Sequence, residues 1–369
     1  MLDSAIPDHL RVERDMPAST PPNYAPPFPA YSSRFGNDVT NLVMAVIGAQ
    51  CAAADDENVD AAVGTLARFL ASAVDDADAR PTLSDWAAVV DRKGFYNVAV
   101  VAYWRSTDAY EGWSTASGFR SWWEGLDAAA SKHGWFLEVF FPTMDRIETV
   151  FSDQQTAEGA SLLRQGVTGP IREHVYWGSM RDRLAVGQTQ RLEGEKRNGR
   201  GGAAAAAAAA ATGAARIRVG GRRNLAVIRS GQDWLDTSAD ERELYLSTMH
   251  PVLVKGMDFL RDEGDEVGCH SCRFMDVIDG RSRKADKDKT FGLAYFYDLG
   301  SLERWSKEHA SHLAIFGGFL QYAAKLGGHV TLRLFHEVLV LTPEQQLFEY
   351  VACHPDTGML AAARQGACA

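Results

Sequence analysis

The run Val330–Leu341, VTLRLFHEVLVL, alternates along an extended chain, so that Val330, Leu332, Leu334, His336, Val338 and Val340 share one face. His336 is the one polar member of that row. Just upstream, Leu302–Ala323, LERWSKEHASHLAIFGGFLQYA, places Leu302, Trp305, His309, His312, Phe316, Phe319 and Ala323 three or four residues apart, the spacing of one helix face. His312 lies inside that apolar stripe. A buried imidazole needs a hydrogen bond, a metal or a ligand, since leaving it unsatisfied costs on the order of 1–3 kcal/mol. Two such residues in one helix-strand unit point to a buried cofactor.

Around this unit the pattern extends in both directions. Strands are expected at Leu225–Ser230, Val267–Ile278, Phe291–Tyr297 and Val330–Leu341, with helices at Asp240–Arg261 and Ser301–Lys325. The order β-α-β-β-α-β is the ferredoxin-like pattern. The first half reads as a degenerate copy, with strands at Val39–Gln50, Phe95–Trp104 and Trp135–Phe141. Helices fall at Asn58–Ser72 and about Ser117–Lys132, and Trp86–Val90 reads as an additional edge strand. The expected fold is α+β, two tandem ferredoxin-like halves whose sheets pack or close into a barrel. Residues 1–35, with seven prolines, form an extended arm, 36–192 the first half with its connection, and 224–345 the second half. Residues 346–369 are a tail. Between the halves, residues 193–223 are rich in glycine and alanine, including the run Ala203–Ala211, and read as a surface insertion loop.

Composition limits the function. A chain of 369 residues with 46% hydrophobic content builds a substantial core, and its formal charge of -10 argues against a general nucleic-acid binder or a partner of anionic membranes. A small-molecule partner fits better. Five scattered cysteines suit a reducing compartment, and no long apolar span or leader-like segment appears, so a cytoplasmic protein without disulfides is expected. Walker, GxGxxG, GxSxG and HExxH motifs are all missing from the sequence. Cys269 and Cys272 form CHSC, but no second pair completes a zinc site, and residues three apart in a regular strand face opposite ways. They read as core cysteines. Ser230, in LAVIRSGQDW, shares the face of Ala226 and Ile228, where a hydroxyl bonds either backbone or a ligand. Arg181 and Arg183 follow an aromatic run, and surface or interdomain ion pairs would account for both.

Several separated blocks resemble the aldoxime dehydratases, haem enzymes that convert aldoximes to nitriles. They are SAIPDHLR (4–11), EHVYWGSMRDR (173–183), NLAVIRSGQDW (224–234), PVLVKGMDFLRD (251–262), LERWSKEHASHLAIFG (302–317), LRLFHEV (332–338) and FEYVACHPDTGML (348–360). The likeness spans nearly the whole chain, in the right order. It implies a dimeric α+β barrel architecture and haem b, ferrous for activity, with a homodimer as the assembly. It also implies residue roles. His312 becomes the proximal iron ligand and His336 the distal acid-base group. Ser230 hydrogen-bonds the oxime hydroxyl, and Arg181 helps position it. Arg183 and His309 remain the alternatives to Arg181 and His312.

Loss of water from R-CH=N-OH requires protonation of a poor leaving group. The resemblance implies that ferrous haem takes the oxime nitrogen while His336, with an ordinary pKa of about 6.5, supplies and recovers the proton. Two other readings share the scaffold: a haem-binding sensor or carrier, and a peroxidase-like or chlorite-decomposing enzyme. Turnover of aldoximes separates all three.

Overall fold

Strand-forming runs of Val, Ile, Phe and Tyr assemble one antiparallel sheet of eleven strands in the computed structural model, which describes residues 2–72, 74, 76–195, 215–285 and 287–365. The strands are β1 (Val43–Cys51), β2 (Thr82–Val90), β3 (Tyr96–Trp104), β4 (Gly134–Phe140), β5 (Ile147–Phe151), β6 (Arg216–Val219), β7 (Leu225–Asp233), β8 (Cys269–Ile278), β9 (Lys289–Phe296), β10 (Arg333–Leu341) and β11 (Gln346–Val351). Their order across the sheet is β5-β10-β7-β9-β8-β2-β3-β1-β4-β11-β6. Within β1–β4 and within β7–β10 the relative order is the same: the first strand lies between the fourth and the third, and the second lies outside the third.

The sheet curls back on itself. Tyr103 on β3 donates a hydrogen bond to Glu337 on β10, and Tyr295 on β9 and Arg273 on β8 both donate to Glu138 on β4, although these strands lie far apart in the sheet order. The space inside the curl is filled by Met44, Phe136, Phe140, Val227, Leu293 and Leu339, among others. Helices cover the outer face. Over the first half lie α1 (Asn58–Leu70), α2 (Thr107–Ala116) and α3 (Phe119–Glu124). After the short α4 (Ser179–Arg183), the second half is covered by α5 (Ala239–Leu244), α6 (His250–Asp262), α7 (Leu299–Glu308) and α8 (Ala310–Lys325), and α9 (Leu360–Gln365) ends the described chain.

Several expectations shift. Trp86–Val90 belongs to the longer β2, which pairs with both β3 and β8 and so joins the two halves instead of forming an edge. The helix expected near Ser117–Lys132 lies earlier, starting after Ser106, whose hydroxyl accepts from the Ala109 amide, and interrupted at Gly118, whose φ is 77°. The helix expected over Ser301–Lys325 breaks at His309, and that over Asp240–Arg261 contains a π-helical turn at Tyr245–Met249 just before Pro251. Strand β5 was not anticipated. In the segment 193–223, Arg216–Val219 is a strand paired with β11, while residues 196–214, with the alanine run, lie outside the described residues. The tail is not peripheral either, since β11 is a sheet strand and Met359 and Leu360 enter the core inside the curl.

Candidate active site

Strands β7 and β10 are adjacent and antiparallel, and their register sets His336 directly opposite Ser230. Directly paired residues project to the same face with Cβ atoms about 4.5–5.5 Å apart, so the two polar groups are cross-strand neighbours on the helix-covered side. The row continues to Val150 on β5 and Gly292 on β9. Ala226, Val338 and Val340 on this face are buried, whereas Ile228, Ser230, Leu334 and His336 are only half-buried. The helices therefore stand off the sheet here and leave a cleft. Gly231 explains the glycine after Ser230: a Cβ there would sit 1.9 Å from the Phe335 ring, inside the curl. Any side chain at 231 would push apart the two strands that carry the site.

His312 comes from α8, and its charge reaches His336 on this face. His309 adopts an extended conformation and caps the helix, its ring nitrogen accepting from the Ser311 amide, and it stacks on Phe259 with centroids 4.1 Å apart. That imidazole is engaged by its own helix end. His312 lies in the first turn beyond the cap, edge-on to Trp305 at 4.8 Å and near Trp177, which in turn packs on Phe316. Its Nδ1 is buried and makes no hydrogen bond. Burial pushes its pKa down to about 4, with the Ser306 backbone opposing in part. A neutral imidazole whose Nδ1 makes no hydrogen bond, beside Trp305 and Trp177 on a helix that also carries the half-buried Phe316 and Phe319, is suited to ligate a haem iron. The residues present fit the haem that the sequence resemblance implies.

The two arginines differ sharply. Arg181 pairs with Glu303 on α7 at 2.8 Å and donates to the Arg191 carbonyl. Arg183 is buried and forms a two-pronged ion pair with Glu148, at 2.8 and 2.9 Å, and also donates to the Glu173 carbonyl at 3.0 Å. Glu148 precedes Val150 by two on β5, so it shares the face of His336. The His336 ring is driven down to about 4 by burial first, then by the Arg183 charge and by His312. His174 is pushed to about 3 by burial, then by Arg183 and His336. His336, His174, Arg183 and Glu148 thus form one electrostatic cluster, in which both imidazoles are neutral near pH 7.

Glu148 and His174 were not singled out from sequence. Glu148 sits in RIETVF, where Ile147, Thr149 and Phe151 alternate with Glu148 and Val150, a period-two signal that marks the missed strand. His174 stands within the block EHVYWGSMRDR but carries no periodic signal. Cys269 and Cys272, expected on opposite faces, both enter the core beneath α6, because a bulge between Cys269 and Ser271 shifts the register. Burial raises both thiols, Cys272 to about 12, and the described cysteines Cys51, Cys269, Cys272 and Cys353 are free. Among the described residues no cluster of His, Cys, Asp and Glu is arranged to hold a metal ion, and no helix is long and apolar enough to cross a membrane.

Comparison with known proteins places the chain in a family. The family model for a haem-containing dehydratase matches residues 45–359. An aliphatic aldoxime dehydratase of Rhodococcus erythropolis is 38% identical over 359 residues, covering 97% of this chain and 98% of the relative. A phenylacetaldoxime dehydratase of Bacillus sp. (strain OxB-1) is 30% identical over 346 residues, covering 92% and 93%. The crystal structure of an aldoxime dehydratase in complex with butyraldoxime superposes with a TM-score of 0.84 at 38% identity, covering 97% of this chain and 96% of that one. A second aldoxime dehydratase structure also gives 0.84, at 34% identity. On this full-length similarity of sequence and fold, the chain belongs to the haem-containing dehydratase family.

Proposed function

We propose that this protein dehydrates aldoximes to nitriles, with haem b held by His312 and the proton carried by His336. The observation that supports this most directly is the register of β7 and β10, which makes Ser230 and His336 cross-strand neighbours on the cleft face, with Arg183 beside them. When bound and ferrous, the haem supplies an open coordination site for the oxime nitrogen and electron density to the N-O bond. The chain's own residues do the rest. The Ser230 hydroxyl and the Arg183 guanidinium donate hydrogen bonds to the oxime oxygen and stabilise the charge that develops as the N-O bond breaks. Over one turnover, a proton passes from the oxime carbon to the departing oxygen, giving water, and the His336 imidazole carries it. There is no net redox change.

The sequence-based expectation assigned Arg181 to the oxygen. We assign that role to Arg183, whose charge reaches His336, whereas Arg181 pairs with Glu303 on α7. Glu148 fixes the position and orientation of the guanidinium. The free imidazole of His336, held down to about 4 chiefly by burial, is neutral near pH 7 instead of evenly balanced. The shared strand order of the halves supports a duplication of ferredoxin-like units in a dimeric α+β barrel. The free, buried cysteines suit a reducing, cytoplasmic compartment, and sedimentation of the haem-loaded protein would test the homodimer that the family resemblance implies.

The deciding experiment is anaerobic nitrile formation from phenylacetaldoxime and butyraldoxime by haem-loaded, dithionite-reduced protein, with the Soret band followed in the same cuvette. Nitrile together with a substrate-induced Soret shift is the expected result. A haem spectrum without nitrile would favour a sensor or carrier, and rapid peroxide consumption without nitrile a peroxidase-like enzyme.

A further inference from the structure

The N-terminal arm is bound along the segment that carries Arg183 and His174. Asp182, between the two arginines of α4, is completely buried, and its carboxylate accepts from the amides of Ser19 at 3.1 Å and Thr20 at 2.8 Å, from the Thr20 hydroxyl at 2.8 Å and from the Tyr176 hydroxyl at 2.9 Å. Three of these four donors come from the arm. Glu173, whose carbonyl receives Arg183, has its carboxylate tied to the Ser4 hydroxyl at 3.0 Å and the Ala5 amide at 2.9 Å. Between them, Val175 has a φ of 56°, a left-handed conformation that a β-branched residue adopts only when its surroundings enforce it, and the Tyr24 hydroxyl donates to its carbonyl at 2.5 Å. His174 immediately precedes this strained residue.

The arm also reaches the edge of the cleft face. Ala5 and Ala30 pack against Val150, the register partner of His336, and Tyr31 pairs with Phe151 on β5. Phe28 meets Phe319 of α8 edge-on at 5.7 Å. Ala5, Pro7 and Leu10 share with Glu148 and Arg183 the walls of one cavity of about 40 Å³. Burying a carboxylate is costly unless it is fully hydrogen-bonded, and three of the four bonds that satisfy Asp182 exist only while the arm is docked.

We propose that the docked arm is a working part of the site: through Asp182 and Glu173 it clamps residues 172–183, so that Arg183 and His174 are held against His336, and Asp182 is a positioning residue for turnover. This rests on the assignment of Arg183 to the oxime oxygen. Misplacing such a group by about 1 Å costs up to roughly a hundredfold in rate.

The test compares Thr20→Val, Thr20→Ser and Asp182→Asn in the haem-loaded full-length protein, with Arg183→Ala as the benchmark. Thr20→Val is expected to lower kcat several-fold with haem content and the substrate-induced Soret shift unchanged, and with faster proteolytic cleavage of the arm. Thr20→Ser, which restores the hydroxyl, should recover both. Asp182→Asn should cost about tenfold or more in kcat, and if it fails to fold the threonine pair decides alone. Arg183→Ala without loss of turnover would remove the underlying site assignment. Arg183→Ala inactive while Thr20→Val keeps full kcat, whether or not the arm is cleaved faster, would overturn the clamp alone.

Discussion

The two halves share a strand order and differ in what lies between sheet and helix. In the first half, α1 buries Val59, Ala62, Val63, Leu66 and Phe69 against β1, β3 and β4, while Trp104, Trp113, Phe119 and Trp123 fill the rest of the space. Trp113 stacks on Phe119 at 4.9 Å and its ring nitrogen donates to the Phe69 carbonyl. In the second half, α8 is of similar length yet buries only Tyr322 and Ala323, and the helix-covered sheet face there carries Ser230 and His336. Topology alone therefore does not make a cleft. Aromatic side chains are buried between the layers in the first half, whereas in the second the sheet face carries the half-buried Ser230 and His336 and α8 keeps Phe316 and Phe319 half-buried.

Substitutions that break this contrast should act very differently in the two halves. The largest expected effect is at His312, where His312→Ala should abolish haem retention, read as loss of the Soret band after desalting. Next, His336→Ala should keep the haem and the aldoxime-induced Soret shift but lower kcat by about 10²–10⁴-fold, the usual worth of general acid-base help. Equal haem loss in the two variants would undo their separate roles. Arg183→Ala should lower kcat by roughly a hundredfold and Arg181→Ala by no more than about threefold, comparable to loss of a part-exposed ion pair. A larger effect at Arg181 would restore the sequence-based expectation. In the filled half, Trp113→Phe should lower stability by about 1–3 kcal/mol through a poorer fit and a lost hydrogen bond, with kcat per haem unchanged.

Acid should expose the open half as well. His174, His312 and His336 have folded pKa values of about 3, 4 and 4, each below the ordinary value of about 6.5. Between those limits the unfolded chain binds more protons than the folded one, so the stability of the haem-free protein is full above about pH 6.5 and falls as pH drops toward 4. Urea unfolding midpoints at several pH values measure this. A midpoint unchanged between about pH 7 and 5 would show that these imidazoles are not held neutral.

The residues that could be read in advance are those whose signal is local. Alternation in VTLRLFHEVLVL and LAVIRSGQDW placed His336 and Ser230 on apolar strand faces, and helical spacing placed His312 in its stripe, because period and face follow from backbone geometry alone. Telling the surroundings of Arg181 and Arg183 apart was beyond such reasoning: both lie on one short helix, and what separates them is Glu148, 35 residues away on an unanticipated strand, against Glu303 on α7. The break at His309 and the bulge at Cys269 also escaped it, since each depends on a hydrogen bond or register shift that no spacing rule encodes.

The sequence by itself determined the α+β class, the element order of the second half and the three polar residues on the cleft faces, since hydrophobic period decides which side of an element is buried. Only the tertiary structure decided that Ser230 and His336 stand opposite one another, that β2 joins the halves, that the proline-rich arm ties down the Arg183 segment, and that one half is open where the other is filled. Those outcomes depend on register and on long-range packing, where a strand's partner and a carboxylate's donors are chosen by the whole chain and not by its neighbours in sequence.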